Sequence, residues 1–497
     1  MAPLLSITVV FRKLQVQLFG RFSPLTEPLT RNPTKQVILE RRRNHPSGIA
    51  FVAACGWQAD GRGPSIWDTF SHETGRVFGD QNGDVACKSY ELWEEDLRSI
   101  LQLGLTHYRL SVSWARLLPD GTTQHVNHKG VQYYNKVIDD LLNARVTPMI
   151  TLYHFDLPQA LQDRGGWKSP NIATLFDSYA RFCFQTFGDR VKLWITVNEP
   201  YVCAKLGHED AIHAPGLKEP GRAAYVVGHN MLRAHASAWH SYDAFFRPKQ
   251  KGLVSLAINS DWLEPLDPDC AEDISATERH LAFTLGWFAW PVTFIDTNSR
   301  KHGYSSESRL PFFSKDEPPI LGTADFFALN YYTSRKVTSC SGHSDILSMK
   351  SDRGAQEVLD PSWPISGVSW LAVVPHGLRR LLSYIKKNFS DPAIYITENG
   401  FAQVGSLEME DVQRVTFYKE TISEVAKAIT EDGVNVRGYF AWSLMDNFEW
   451  ADGYSVRFGL FHVDFSDEKR KRTMYHSGRE YAKLILKYIG LHCHLVA

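Results

Sequence analysis

From residue 49 onward, short apolar runs alternate with longer stretches whose apolar positions recur every three or four residues. The runs fall at 49–55, 106–114, 146–153, 191–197, 252–258, 324–332, 393–397 and 436–444. Most are near-continuous in Val, Ile, Leu, Tyr and Phe, the pattern of strands covered on both faces. Between them, 90–103 gathers Leu92, Trp93, Leu97, Ile100 and Leu101 on one helical face. The stretches 131–144, 172–187, 223–242, 378–388 and 411–430 read as helices in the same way. Strand and helix alternating eight times without a long linker predict a single α/β domain, a (β/α)8 barrel, rather than two doubly wound sheets. The intervals 55–90, 198–225, 331–375 and 445–475 are too long for one helix and rich in Gly, Pro, Asp, Ser and Trp. In this architecture such insertions are βα loops at the C-terminal face, where sites form.

Composition narrows the function. The 497 residues are 43% hydrophobic and 12% aromatic, which suits a large packed core. Lys and Arg number 54 against 55 acidic residues, so the basic excess that a nucleic-acid partner requires is missing. Seven scattered cysteines without CxxC spacing fit reduced thiols better than a disulfide framework. No run reaches the length of a transmembrane helix, and stable membrane insertion is not expected. Residues 1–47 carry Arg12, Lys13, Arg21, Arg31, Lys35, Arg41, Arg42 and Arg43 against Glu27 and Glu40. They read as an irregular leader, with a mitochondrial transit segment as the alternative; the apolar run 4–11 lacks the flanks of a secretory signal. The division expected is therefore a leader at 1–47, a barrel at 48–490 and a short tail at 491–497, in a cytoplasmic protein.

The ends of the eight runs carry the candidate chemistry. The second run holds Arg109, the third ends in Tyr153-His154-Phe155-Asp156, and the fourth in Thr196-Val197-Asn198-Glu199-Pro200. The sixth ends in Asn330-Tyr331-Tyr332 and the seventh in Ile396-Thr397-Glu398-Asn399-Gly400. The eighth reaches Trp442, with Asp446, Asn447, Glu449 and Trp450 just beyond. A carboxylate at the end of a buried strand is costly unless paired or used. Two of them facing one cavity would have separated pKa values, as a nucleophile and a general acid require. Glycoside hydrolysis needs such a pair.

These motifs resemble glycoside hydrolase family 1. The two glutamate stretches match its signatures. Further matches are Asp60-Gly61-Arg62-Gly63-Pro64-Ser65-Ile66-Trp67-Asp68, Tyr108-Arg109-Leu110-Ser111 and Trp442-Ser443-Leu444-Met445-Asp446-Asn447-Phe448-Glu449-Trp450. The resemblance implies a retaining β-glycosidase acting on β-glucosides, and on β-galactosides as well, with no metal or organic cofactor. It implies Glu398 as nucleophile and Glu199 as acid/base, with Asn198 on the sugar 2-hydroxyl. Arg109 and Tyr332 would orient Glu398, with Tyr332 also lining the substrate site. His154, Glu449 and Trp450 would bind glycone hydroxyls over a Trp442 platform. An acid at Glu449 implies an unphosphorylated sugar, and the presence of Glu199 separates the chain from thioglucosidases.

Two stretches depart from the family pattern. Val52 stands where the family's Gln would bind two glycone hydroxyls, and a Val offers neither donor nor acceptor. The leader is unlike the family's opening, which leaves closure of the first strand as a question for the structure. The segment 297–302 bridges directly to Gly303-Tyr304-Ser305-Ser306 where the family carries about a dozen more residues, so an outer helix is expected to be shortened. The competing reading is a catalytically silent, glycan- or receptor-binding barrel of the same family.

Overall fold

The computed structural model describes residues 47–51, 56–293, 309–311, 313–314, 317–340, 347–404 and 407–495. Residues 1–46 of the leader, Val52 and the segment 297–302 lie outside the described residues, and Ser47, the last residue assigned to the leader, begins the first strand.

Eight parallel strands form a closed barrel: β1 (Ser47–Phe51), β2 (His107–Ser111), β3 (Thr147–Tyr153), β4 (Leu193–Asn198), β5 (Leu253–Asn259), β6 (Phe327–Asn330), β7 (Ile394–Glu398) and β8 (Val436–Trp442). Each is followed by a long outer helix: α1 (Trp93–Leu103), α2 (His128–Asn143), α3 (Ile172–Phe187), α4 (Ala223–Ser241), α5 (Ala271–Leu281), α6 (Pro375–Asn388), α7 (Val412–Thr430) and α8 (His476–Leu495). β1 answers the question of closure. Ser47 to Ala50 pair with Tyr439 to Trp442 of β8, and Gly48 to Phe51 pair with His107 to Leu110 of β2.

The near-continuous apolar strands are buried on both sides, as the runs predict: β4 is buried at every position and β3 at all but its first. Inside the barrel, Met149, Leu193, Ile195, Ala257, Phe326, Ala328 and Phe440 form a separate cluster. The lumen is thus a packed plug, and the polar strand ends stand above it. The outer helices bury one stripe each. In α2, for instance, Tyr134, Val137, Ile138 and Leu141 turn inward, and Asn127 caps its first turn through Lys129 N at 3.2 Å.

Two helices go beyond the sequence reading. α5 turns Asp273, Ala276, Thr277, His280 and Leu281 inward, a mostly polar buried face that carries little apolar period. α8 runs on to Leu495, past the boundary drawn at 490. The long intervals do lie at the C-terminal ends of the strands. Two strands of the interval 331–375 build a small sheet on the stretch after β5: Ser334–Ser339 pairs parallel with Trp262–Pro265, and Ala355–Val358 adds antiparallel.

Candidate active site

Glu199 follows β4 immediately and precedes Pro200, the first residue of the helix Pro200–His208. Its φ of 45° is a left-handed conformation that non-glycine residues seldom adopt. Its N–H donates to Ala257 O of β5 at 2.8 Å, which holds the turn so that the side chain enters the barrel mouth. Glu398 is the last residue of β7 and is also buried.

The two carboxylates have different partners. Arg109 Nη1 donates to Glu398 Oε1 at 2.6 Å, and Tyr332 Oη donates to Glu398 Oε2 at 2.9 Å. The same guanidinium donates through Nη2 to Asn198 Oδ1 (2.7 Å), through Nε to Thr151 Oγ1 (3.1 Å) and through Nη1 to Thr397 O (3.1 Å). Among the described residues no cation contacts Glu199; Asn330 Nδ2 donates to its Oε1 at 2.7 Å. Asn330 also donates to Asn198 Oδ1 at 3.1 Å and accepts from Thr397 Oγ1 at 2.6 Å. Asn198 Nδ2 faces His154 Nε2 at 3.0 Å.

Electrostatics separate the pair further. Burial, then the nearby Glu398 charge, pushes Glu199 up to about 8, against the pull of Asn330 and Arg109. Burial raises Glu398 as well, but Arg109 and Tyr332 act directly on its two oxygens to favour the ionised form. Of the two, Glu199 is thus the one pushed toward its protonated form, and Glu398 carries the cation and the hydroxyl that favour its charge. Burial, reinforced by the Arg109 charge, drives His154 well below its usual range, so it is a neutral imidazole.

The remaining predicted residues surround this pair. Trp442 donates from Nε1 to Glu449 Oε1 at 3.3 Å. The His154 ring stacks on Trp442 at 5.9 Å and on Trp450 at 5.7 Å, and Trp67 meets Trp450 at 4.9 Å. Trp450, at φ 56°, closes this row of rings. The structure thus brings together all nine residues singled out from the sequence: Arg109, His154, Asn198, Glu199, Tyr332, Glu398, Trp442, Glu449 and Trp450. Asn330, in the sequence no more than a strand-end amide, touches Asn198, Glu199 and Thr397. Its signal was an amide closing an apolar strand. Thr151 and Thr397, buried hydroxyls one strand-end away, were not singled out either.

Among the described residues no group of three or more His, Cys, Asp or Glu could hold a metal ion. No helix of the described residues is long and apolar enough to cross a membrane.

Comparison with known proteins agrees with this geometry. Residues 46–488 match the family model described as glycosyl hydrolase family 1. The chain is 53% identical to cytosolic beta-glucosidase of Cavia porcellus, over 88% of this chain and 95% of that one. It is 51% identical to cytosolic beta-glucosidase of Homo sapiens, over 90% of this chain and 99% of that one. A rice β-glucosidase crystal structure superposes with a TM-score of 0.86 at 36% identity, covering 89% of this chain and 98% of the rice chain. The match spans both glutamates and the whole described barrel, and the chain belongs to glycosyl hydrolase family 1.

Proposed function

We propose that the protein is a retaining β-glycosidase that hydrolyses terminal β-D-glucosides, and β-D-galactosides as well, by double displacement. One observation carries the reading. Two buried carboxylates share one mouth: one is bound by Arg109 and Tyr332, while the other, among the described residues, is contacted by an amide and by no cation.

In the first step Glu398 attacks the anomeric carbon while Glu199 gives its proton to the leaving oxygen, and the aglycone departs as an alcohol. The Glu398 charge vanishes into the glycosyl ester. The Glu398 repulsion that, after burial, held the proton on Glu199 falls with it, and Glu199, a carboxylate once its proton is given away, is placed to take a proton from water. Water then attacks the same carbon, Glu398 leaves, and the β-configuration is retained. The rice relative supports a covalent route: a Glu-to-Gln mutant of it is described in a covalent complex with Glc.

The glycone sits among His154, Asn198, Glu449, Trp442 and Trp450. Burial pushes Glu449 up to about 8. At neutral pH this favours its protonated form, which can donate to one hydroxyl as well as accept from another. This changes the reason for preferring an unphosphorylated sugar. The decisive feature is less a repelling charge than the lack of a cation: among the described residues no Lys or Arg pairs with Glu449. A cytoplasmic location belongs to the same reading, supported by the names of the guinea-pig and human relatives.

The test is turnover of a chromogenic β-glucoside by the full chain beside Glu398→Gln and Glu199→Gln, with circular dichroism on each. Activity lost in the Glu398 variant supports the nucleophile. A well-folded but inert native chain would favour the silent binding barrel, for which Val52 in place of the family's Gln is the specific argument.

A further inference from the structure

Beside the two glutamates lies a carboxylate that this chemistry leaves unused. β5 ends at Asn259, and the chain continues through Ser260 and Asp261. Ser260 N donates to Asn330 O at 3.1 Å, and Asn330 is the residue whose amide holds Glu199. Glu199 N is itself bonded to Ala257 O on the same strand. These two bonds tie the end of β5 to the acid and to its amide donor, and Asp261 is the next residue along, its side chain 34% exposed.

Its charge is poorly neutralised. Arg335 Nε, at 3.7 Å, is the one cation paired with it among the described residues. That guanidinium is committed elsewhere: it donates to Thr333 Oγ1 at 3.0 Å, to Ser334 O at 2.9 Å and to Trp370 O. Its Nε also lies 3.8 Å from Glu357, a second carboxylate. Arg353 and His280 hold Glu357 from the far side, at 3.3 and 3.1 Å. Burial pushes Asp261 up to about 6, which leaves it ionised at neutral pH. The charged groups acting on Glu199 are then Glu398 and Asp261, which favour its proton, and Arg109, which opposes it.

We propose that Asp261 is a positioning residue for the proton on Glu199: its carboxylate keeps the acid protonated to higher pH and keeps the base strong in the second step. The two roles follow from persistence. The Glu398 charge disappears when the ester forms, but the Asp261 charge stays. With burial, it is the part of the push that Glu199 still feels when water must be deprotonated. The proposal rests on Glu199 being the acid/base, and the controls separate the two.

The experiment is the pH dependence of kcat/KM for an alkyl β-glucoside, a substrate whose leaving group needs a proton. Native chain, Asp261→Asn and Asp261→Glu are compared. The expected result is an alkaline limb moved to lower pH by at least about 0.3 unit in Asp261→Asn and restored toward native in Asp261→Glu. Asp261→Ser gives the same reading should the amide variant fold poorly. An unmoved limb overturns the proposal, even with a lower rate, because a merely structural role scales the rate without moving the limb. In Glu199→Gln the rate on the alkyl glucoside should fall at least about 100-fold, and far less for a dinitrophenyl β-glucoside in the glycosylation step. If Glu199→Gln instead keeps the native rate and limb, the acid assignment has failed rather than the role of Asp261 alone.

Discussion

Tyr332→Phe removes one hydroxyl and leaves the ring, which is held edge-on by Trp370 at 5.9 Å and Phe458 at 6.1 Å. What is lost is the 2.9 Å bond from Tyr332 Oη to Glu398 Oε2. Burial pushes the phenol well above its ordinary range, so it donates throughout the working pH range. A hydrogen bond to a charged group contributes about 1.5–3 kcal/mol, and about 1.4 kcal/mol corresponds to one pH unit. Because the bond favours the ionised form, its loss raises Glu398 by about 1–2 units. The nucleophile must be ionised, so the acid limb of kcat/KM should move upward by that amount. The limb set by Glu199, near 8, should stay close to its place, and the active window should narrow from the acid side. The assay is kcat/KM for a chromogenic β-glucoside between pH 4 and 9 in buffers of constant ionic strength. An acid limb that stays put while the whole profile sinks would refute the reasoning, since Tyr332 would then be a contact for substrate and not a support for the anion.

Three further outcomes follow from the same geometry. Arg109→Met strands the buried Glu398 carboxylate and should cost about 3–5 kcal/mol of stability as well as nearly all turnover; denaturant midpoints and activity measure both, and a native-like midpoint would contradict it. Glu199 is raised on folding, so the folded state holds more protons than the unfolded chain between about 4.5 and 8, and stability falls as pH rises through that window. Glu199→Gln should therefore melt with the native chain at pH 5 and above it at pH 9; equal melting at both would be the contrary result. Asn330→Ala leaves Glu199 without its donor, which should raise it further and push the alkaline limb upward while kcat falls several-fold, as a pH profile would reveal.

Much of this was legible in the sequence because burial writes itself as composition. Strands covered on both faces need continuous apolar runs, and all eight runs mark barrel strands. Glu199 and Glu398 stand out because a charge ending such a run has no cheap structural explanation. Asn330 did not stand out, since an amide costs less to bury and its three partners come from β4 and β7, far away in sequence. α5 escaped because its inward face holds Asp273, Thr277 and His280 while Ile274 faces outward, which inverts the usual pattern. Asp261 lies past a strand end in a polar turn, where acids are ordinary, and only its position beside Glu199 gives it meaning. Pairing of β1 was beyond the sequence for another reason: its five residues show little of which neighbours will accept them.

Arg109 sits on β2, and its strongest bond is to Glu398 on β7. In the barrel order those strands are separated by β1 and β8. The bond therefore spans the mouth of the barrel between strands that never touch, and it exists only after the circle is complete. An assembly stalled before the last pairing could hold native helices and much of its sheet, yet its nucleophile would have no cation and its acid no facing charge. Competence is in this sense a readout of topology: activity should appear in refolding only with the final closure, after far-ultraviolet ellipticity has largely recovered.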